Sequence, residues 1–455
     1  MTIRHFLIPA YLVLCILLGG ASAAGFLQNL LLQLLALPIL VVALASSGQA
    51  MPRAGRALIW LTFAMIVLVL LQLVPLPPSV WTALPGRESV ATGYEMLQQP
   101  LPWLPISLSP DSTLAALLWL LPAFAVLLGV LKLGAYRPSF IVWALIGVIV
   151  VSVMVASLQL TGGHDSPFYF YRITNFGLGV GFFANSNHQA TLLLSAIPFA
   201  AALYAARGRS KSVKTTSGLL VALTGVGMIL AVGLAIGGSL AGFGLGIASA
   251  AASFLLVRYR GGRAPWWALA GAGAALVAAA IAVFAGPISG VGLVSDIENS
   301  TTSRQTMVST TAEALGDYFP VGAGVGAFAM VYRSYEGPNE VTTTWVNHAH
   351  SDLVEIGLDT GLPGYLLLVA FLLWWGRRAY SIWILDDKPD HYARAAVIAS
   401  AAIMAHSFVD YPLRTAAISS LFALCLALMA QPRPWARRRR VEASADEQPL
   451  RHLSA

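Results

Sequence analysis

Residues 139–161 read SFIVWALIGVIVVSVMVASLQLT, a stretch with no Asp, Glu, Lys, Arg or His. A helix of roughly 20 apolar residues crosses the ~30 Å hydrocarbon core of a bilayer, and this run is long enough. Eleven more such runs lie at about 6–24, 27–46, 57–75, 112–130, 188–206, 216–235, 239–257, 266–285, 361–378, 394–411 and 413–430. The 455 residues are 57% hydrophobic and 10% charged, with mean hydropathy +0.74. The expectation is an all-α polytopic membrane protein of about twelve transmembrane helices, forming one transmembrane domain over about 1–430. Ala21-Ser22-Ala23-Ala24 resembles a signal-peptidase site, but further spans follow at once, so the first run reads as an uncleaved helix with Arg4 and His5 in the cytoplasm.

Orientation follows from the basic residues of the short connections, because these resist translocation. Arg53 and Arg56, Lys132 and Arg137, Arg207 to Lys211, Arg258 to Arg263, Arg377-Arg378 and Arg437 to Arg440 fall on alternate connections. Both termini are then cytoplasmic, and the formal charge of +7 reports topology rather than a nucleic-acid partner. The segment 431–455 reads as a basic, disordered cytoplasmic tail that meets anionic lipid.

Polar chemistry collects in three outer connections, at about 77–111, 162–187 and 286–360, the last a large periplasmic loop before the tenth span. The first is rich in proline and tryptophan and suits a chain lying along the interface. Trp81, Trp103, Trp374 and Trp375 read as interfacial anchors, and Trp345 as a face on which a sugar can stack. In the third connection, Ser300-Thr301-Thr302-Ser303 offers N-caps for a helix running to about Tyr318, with Arg304 in its first turns. Pro320 ends that helix, and Gly322-Ala323-Gly324-Val325-Gly326 reads as a tight turn. Asn347-His348-Ala349-His350-Ser351-Asp352-Leu353 then precedes Gly361 and Gly364. Imidazole titrates near neutrality, so His350 and His348 at a membrane mouth suit proton transfer. A strand would align His348, His350 and Asp352, whereas a helix would pair His348 with Asp352. With no distant ligand visible, no metal is expected.

Elsewhere, His188 reads as structural or substrate-lining and His406 as a packing histidine facing the bundle interior. Asp410 and Arg414 flank Tyr411-Pro412 and could hold the turn as a local ion pair. Gly238, Gly242 and Gly246 recur every fourth residue and permit close helix packing. Cys15 and Cys425 lie in apolar runs, which argues against a disulfide or a thiol metal site.

Several of these residues together resemble the O-antigen ligase and polysaccharide polymerase superfamily. The resemblance is carried by Arg304, by Pro320 with Gly322 to Phe328, and by Ala349-His350-Ser351-Asp352-Leu353 ahead of Gly361-Leu362-Pro363-Gly364. Gly181 to His188, Gly238-Ser239-Leu240-Ala241-Gly242 and His406 to Pro412 are further matches, so that the similar region covers about 170–430. The resemblance implies a glycosyltransferase of the bacterial inner membrane acting at the periplasmic face. It implies a polyprenyl-diphosphate-linked glycan as donor, a glycan or lipid A core sugar as acceptor, inversion, and no metal or other cofactor. Other polysaccharide assembly proteins would be partners. His350 and Arg304 take the catalytic roles. Leu240 and Ser186 stand where many members carry arginine, so positive charge for the diphosphate must come from elsewhere, with Arg172, Arg333 or Arg414 as candidates. Substrate contacts are expected at Arg172, His188, Arg333, Trp345, His348, Asp352 and Arg414.

Two other classes compete: a twelve-span secondary transporter and a non-catalytic component of envelope polysaccharide assembly. A transporter needs charges near the midplane of its repeats. Here ionisable residues are scarce within the spans and gather in the outer connections, which favours chemistry at one surface.

Overall fold

A computed structural model describes residues 3–23, 26–46, 51–207, 213–284, 294–338, 341, 346–386 and 388–431, leaving aside the side chains of 3–4, 213–216, 283–284 and 294–303. The described chain is all-helical. Its helices are α1 Leu7–Leu18, α2 Leu27–Ala45, α3 Arg53–Leu71, α4 Pro78–Trp81, α5 Glu88–Met96, α6 Pro110–Trp119, α7 Leu121–Leu128, α8 Pro138–Gly162 and α9 Ser186–Ala206. They continue with α10 Val213–Gly237, α11 Leu240–Arg258, α12 Trp266–Phe284, α13 Val294–Tyr318, α14 Phe328–Tyr335, α15 Asp352–Tyr380, α16 His391–Ser407 and α17 Ala416–Ala430.

Each apolar run of the sequence lies on a helix, but not all are of spanning length. Among the described residues, eight helices are long and apolar enough to cross a membrane, while α1, α12 and α17 are shorter apolar helices. α1 stops at Leu18 because the chain must thread a tight gap. A Cβ at Gly20 would lie 2.1 Å from the Phe182 carbonyl, and Gly19 accepts a hydrogen bond from Ala417 N. α16 ends at Ser407 rather than at 411, and a short non-helical turn leads through Pro412 to α17.

α9 is the axle of the bundle, packed between α11 and α16, with most of its length buried. The small-residue spacing works as expected at Gly242, where an added Cβ would sit 2.6 Å from that of Ala190 on α9. Cys15 and Cys425 are buried free thiols.

The 77–111 connection is more folded than its composition suggested. Arg87 is buried and donates to the carbonyls of Ile106 and Gly322, while its guanidinium lies over Tyr318 at the end of α13. Trp81 is buried with Nε1 donating to Pro102 O, and Trp374 and Trp375 donate to Ala54 O and Ser400 Oγ. Three of the four expected interfacial anchors thus have internal partners, and Trp103 is exposed. A guanidinium has five N–H donors, and here it gathers the carbonyls of Pro85, Ile106 and Gly322.

In the third connection α13 starts at Val294, so Ser300 to Ser303 lie inside the helix and do not cap it. α15 starts at Asp352, nine residues before the expected span, and breaks at Gly361, whose φ of 59° and ψ of −146° suit glycine alone. Breaking a helix frees carbonyls that must find donors. The glycine-rich turn supplies two of them, as Ala323 N donates to Leu358 O at 2.7 Å and Gly324 N to Asp359 O at 3.0 Å, while past the break Leu362 N donates to Pro320 O at 2.8 Å. Gln72 ties both sides, giving Nε2 to Asp359 O and accepting Val325 N. The turn is therefore a plug for the helix break.

Candidate active site around Tyr411

Four parts of the chain meet at one end of the bundle: the entrance of α9, the α13 face that carries Arg304, the segment 346–359 and the turn 408–415. Local sequence explains each. Asn185 caps α9 by accepting from Asn187 N, and Ser239 caps α11 by accepting from Gly242 N while donating to Asn187 Oδ1. Pro412 cannot continue α16, and Asp410 Oδ1 closes the turn by accepting from Tyr411 N.

Tyr411 is the hub. Its ring centroid lies 4.6 Å from that of His348, 4.8 Å from His350 and 5.0 Å from His188. His350 adopts φ 54°, a left-handed conformation that costs a non-glycine residue energy and recurs at functional sites. That conformation brings its Nδ1 to 3.3 Å from Asp410 Oδ1 and leaves Nε2 as the outer nitrogen. The contact is an ion-pair distance without hydrogen-bond alignment. Burial alone would raise the Asp410 carboxyl, but His350, His188 and Arg304 together hold it well below the usual carboxylate range. Arg304, half-buried on α13, is thus close enough to act on the cluster.

A second network lies beside the first. Asp352, Glu355 and Asp359, spaced three and four residues apart, share one face of α15. Arg414 reaches all of them, at 3.2 Å from Asp352 Oδ1, 3.1 Å from Glu355 Oε1 and 3.4 Å from Asp359 Oδ2. Burial works against the charge on Arg414, yet the three carboxylates more than offset it and raise its pKa. Glu355 also accepts from Ala349 N at 2.8 Å and pairs with His348 Nδ1 at 2.8 Å.

The expected site residues fare unequally. His350, His348, His188 and Arg304 are brought together. Asp352 is present but paired with Arg414, and the partner of His348 is Glu355, seven positions on, because the helix begins only at Asp352. Arg414 does not pair with Asp410; the turn sends the two side chains in different directions, and Arg414 is committed to α15. It is thereby a poor candidate for binding diphosphate. Arg172 and Arg333 are exposed, on the α8–α9 connection and on α14. Trp345 lies outside the described residues. His406 is buried, with Nδ1 2.8 Å from Thr191 Oγ1. Among the described residues no group of three His, Cys, Asp or Glu is arranged to hold a metal ion.

Sequence reasoning missed Glu355, Asp359 and the central place of Tyr411. The acidic stripe at i, i+3 and i+7 running into an apolar segment was the available signal for the first two.

Chemically, the cluster offers an imidazole backed by a carboxylate, a neighbouring guanidinium, and a rigid aromatic floor. No curated protein matches the chain. Residues 225–369, about a third of its length, match the family described as O-antigen ligase and include Arg304, the glycine turn and His350. The chain is a multi-pass membrane protein by its apolar helices, and its segment 225–369 is similar to the O-antigen ligase family.

Proposed function

We propose that the protein is an inner-membrane glycosyltransferase that moves a polyprenyl-diphosphate-linked glycan onto an acceptor sugar hydroxyl at the periplasmic face. The bundle would cross the membrane about twelve times with both termini inside. The observation that carries this reading is the His350–Asp410 contact, at 3.3 Å, beside Arg304. Asp410 orients the ring, and Nε2 of His350 takes the proton of the acceptor hydroxyl as that oxygen attacks the anomeric carbon. A positioned base of this kind contributes on the order of 10²–10⁴ in rate. Arg304 supplies fixed positive charge where the diphosphate leaves. Attack opposite the leaving group inverts the anomeric centre, and no step calls for a metal. Among the remaining candidate contacts, Arg172 or Arg333 would meet the donor, and His188 would support the site from beneath.

Polymerisation of an exopolysaccharide or O-antigen repeat is the working reaction, with ligation to lipid A core as its alternative. The test gives purified protein a lipid-linked repeat with and without lipid A core. Longer chains without core mean a polymerase, and attachment to core means a ligase. His350→Ala and Arg304→Ala should each abolish product, and wild-type turnover in both would remove the assigned roles. Activity lost in chelator and restored by a divalent cation would overturn metal independence.

A further inference from the structure

His350 is not the only histidine at the mouth with a carboxylate behind it. His348 lies against the same tyrosine ring, and its Nδ1 is 2.8 Å from Glu355 Oε1. This second pair is the better formed of the two. Glu355 is buried, and it is fixed from two further directions by Ala349 N and by Arg414. With Nδ1 engaged, Nε2 is the nitrogen of His348 left to face a substrate. The side chains of His348 and His350 are 14% and 19% exposed, whereas His188 and His406 are buried. Access at the mouth thus belongs to this pair.

The carboxylates come from different elements, Glu355 from α15 and Asp410 from the 408–415 turn, and both imidazoles lie against the Tyr411 ring. Two imidazoles with separate carboxylates at one tyrosine ring are more than a single base requires. A transfer reaction has two oxygens to serve: one that loses a proton and one that gains negative charge.

We propose that His348 is a second catalytic residue, the acid that protonates the departing diphosphate oxygen while His350 acts as base on the acceptor. The inference rests on the reading of the site as a lipid-linked glycan transferase. In the step, the acceptor O–H bond breaks and its proton goes to Nε2 of His350. The acceptor oxygen bonds to the anomeric carbon. The bond from that carbon to the diphosphate oxygen breaks, and its electron pair stays on that oxygen, which takes the proton from Nε2 of His348. His350 ends protonated and His348 neutral, and exchange with water at the mouth resets both. The groups around His348 are Glu355, which pairs with it, Asp359 further along α15, Tyr411 from the turn and His188 from α9, with Arg414 joined through Glu355 and the His350–Asp410 pair on the same tyrosine. The carboxylate of Glu355, 2.8 Å behind Nδ1, is the group that would steady a protonated His348 ring as it faces the donor.

The test is the pH–rate profile of wild type, His348→Asn and His350→Asn with a lipid-linked repeat, with melting temperature recorded for each. Wild type should be bell-shaped. His348→Asn should fall by about 10²-fold and lose the alkaline limb, and His350→Asn should lose the acidic limb. A glycosyl fluoride of the same glycan has a leaving group that needs no protonated phosphate, so it should restore His348→Asn more than His350→Asn. Glu355→Gln should lower the rate with the lipid-linked donor and be relieved by the fluoride in the same way. An unchanged profile in His348→Asn, or equal loss with both donors, overturns the acid role. A wild type that turns over no lipid-linked glycan overturns the transferase reading itself, a result separate from the first.

Discussion

Replacing Arg414 by alanine separates a structural cation from a substrate-binding one. Arg414 is the shared partner of Asp352, Glu355 and Asp359, whose residues are 5%, 0% and 2% exposed, and its own side chain is 21% exposed. Removing one partner of a buried ion pair costs about 3–5 kcal/mol, because the remaining charge stays desolvated. Protonation of a carboxylate relieves part of that, and the partial exposure of Arg414 lets water relieve more, so about 3 kcal/mol is the fair expectation. At about 2.1 cal/mol/K per residue over 455 residues, or about 1 °C per kcal/mol, the melting temperature should fall by about 3 °C. The assay is thermal unfolding in detergent followed by tryptophan fluorescence, with donor binding measured on the protein that remains folded. Arg414→Lys should recover only part of the loss, since one ammonium cannot serve three carboxylates as a planar fork does. The decisive comparison is stability against donor affinity. An Arg414→Ala protein with wild-type melting and weakened donor binding would refute the reasoning and return Arg414 to the diphosphate site.

Other outcomes are equally specific. Asp410→Asn should lower kcat by about 10²-fold with little change in donor affinity, because it disorients His350 without touching the donor; an equal rise in KM would count against this. The depressed pKa of Asp410 also sets a pH window. Its stabilising contribution is complete above the unfolded carboxylate value of about 3.9 and is lost only as pH falls through the lower folded value, so melting scans between about pH 5 and pH 7 should show no step from this group. Gly361→Ala should prevent stable folding, as its Cβ would lie 2.0 Å from Pro320 O at a backbone conformation that costs other residues about 1–3 kcal/mol. Gly376→Ala, within the same helix and with nothing within 4 Å, should be neutral or stabilising by up to about 1 kcal/mol, and size-exclusion profiles of the two variants check the contrast. Arg87→Met should loosen the 77–111 connection by removing its hydrogen bonds to Ile106 O and Gly322 O, read as faster proteolysis there than in wild type.

The reach of the sequence had a physical boundary, visible at α15. Hydropathy sees a helix where side chains are apolar, so it began the span at Gly361 and left Asp352, Glu355 and Asp359 in a loop. The chain does the opposite: it winds from Asp352, breaks at Gly361, and spends the glycine turn on the broken carbonyls. His350 and Arg304 were reached through the motif resemblance, and the fold brings both to the cluster that holds Asp410 and His188. The commitment of Arg414 was not legible, since it depends on which way a short turn after α16 points its side chains. Arg87 was missed for the same reason, its carbonyl partners lying 19 and 235 residues away in sequence.

The matched family segment, 225–369, does not contain the site. It holds Arg304, His348, His350 and Glu355, but Asp410, Tyr411 and Arg414 follow it and His188 precedes it. Each external residue meets something inside: Asp410 lies 3.3 Å from His350, Tyr411 packs against both histidines, and Arg414 pairs with the acidic face of α15. For the proposed chemistry, the unit to keep intact runs from the entrance of α9 to the start of α17, close to the 170–430 region that the motifs outlined. The charge question narrows with it. Leu240 and Ser186 bring no cation, and Arg414 is spent on carboxylates. Under the proposed transfer, a diphosphate donor would meet Arg304 together with Nε2 of His348 at the mouth and the exposed guanidiniums of Arg172 and Arg333.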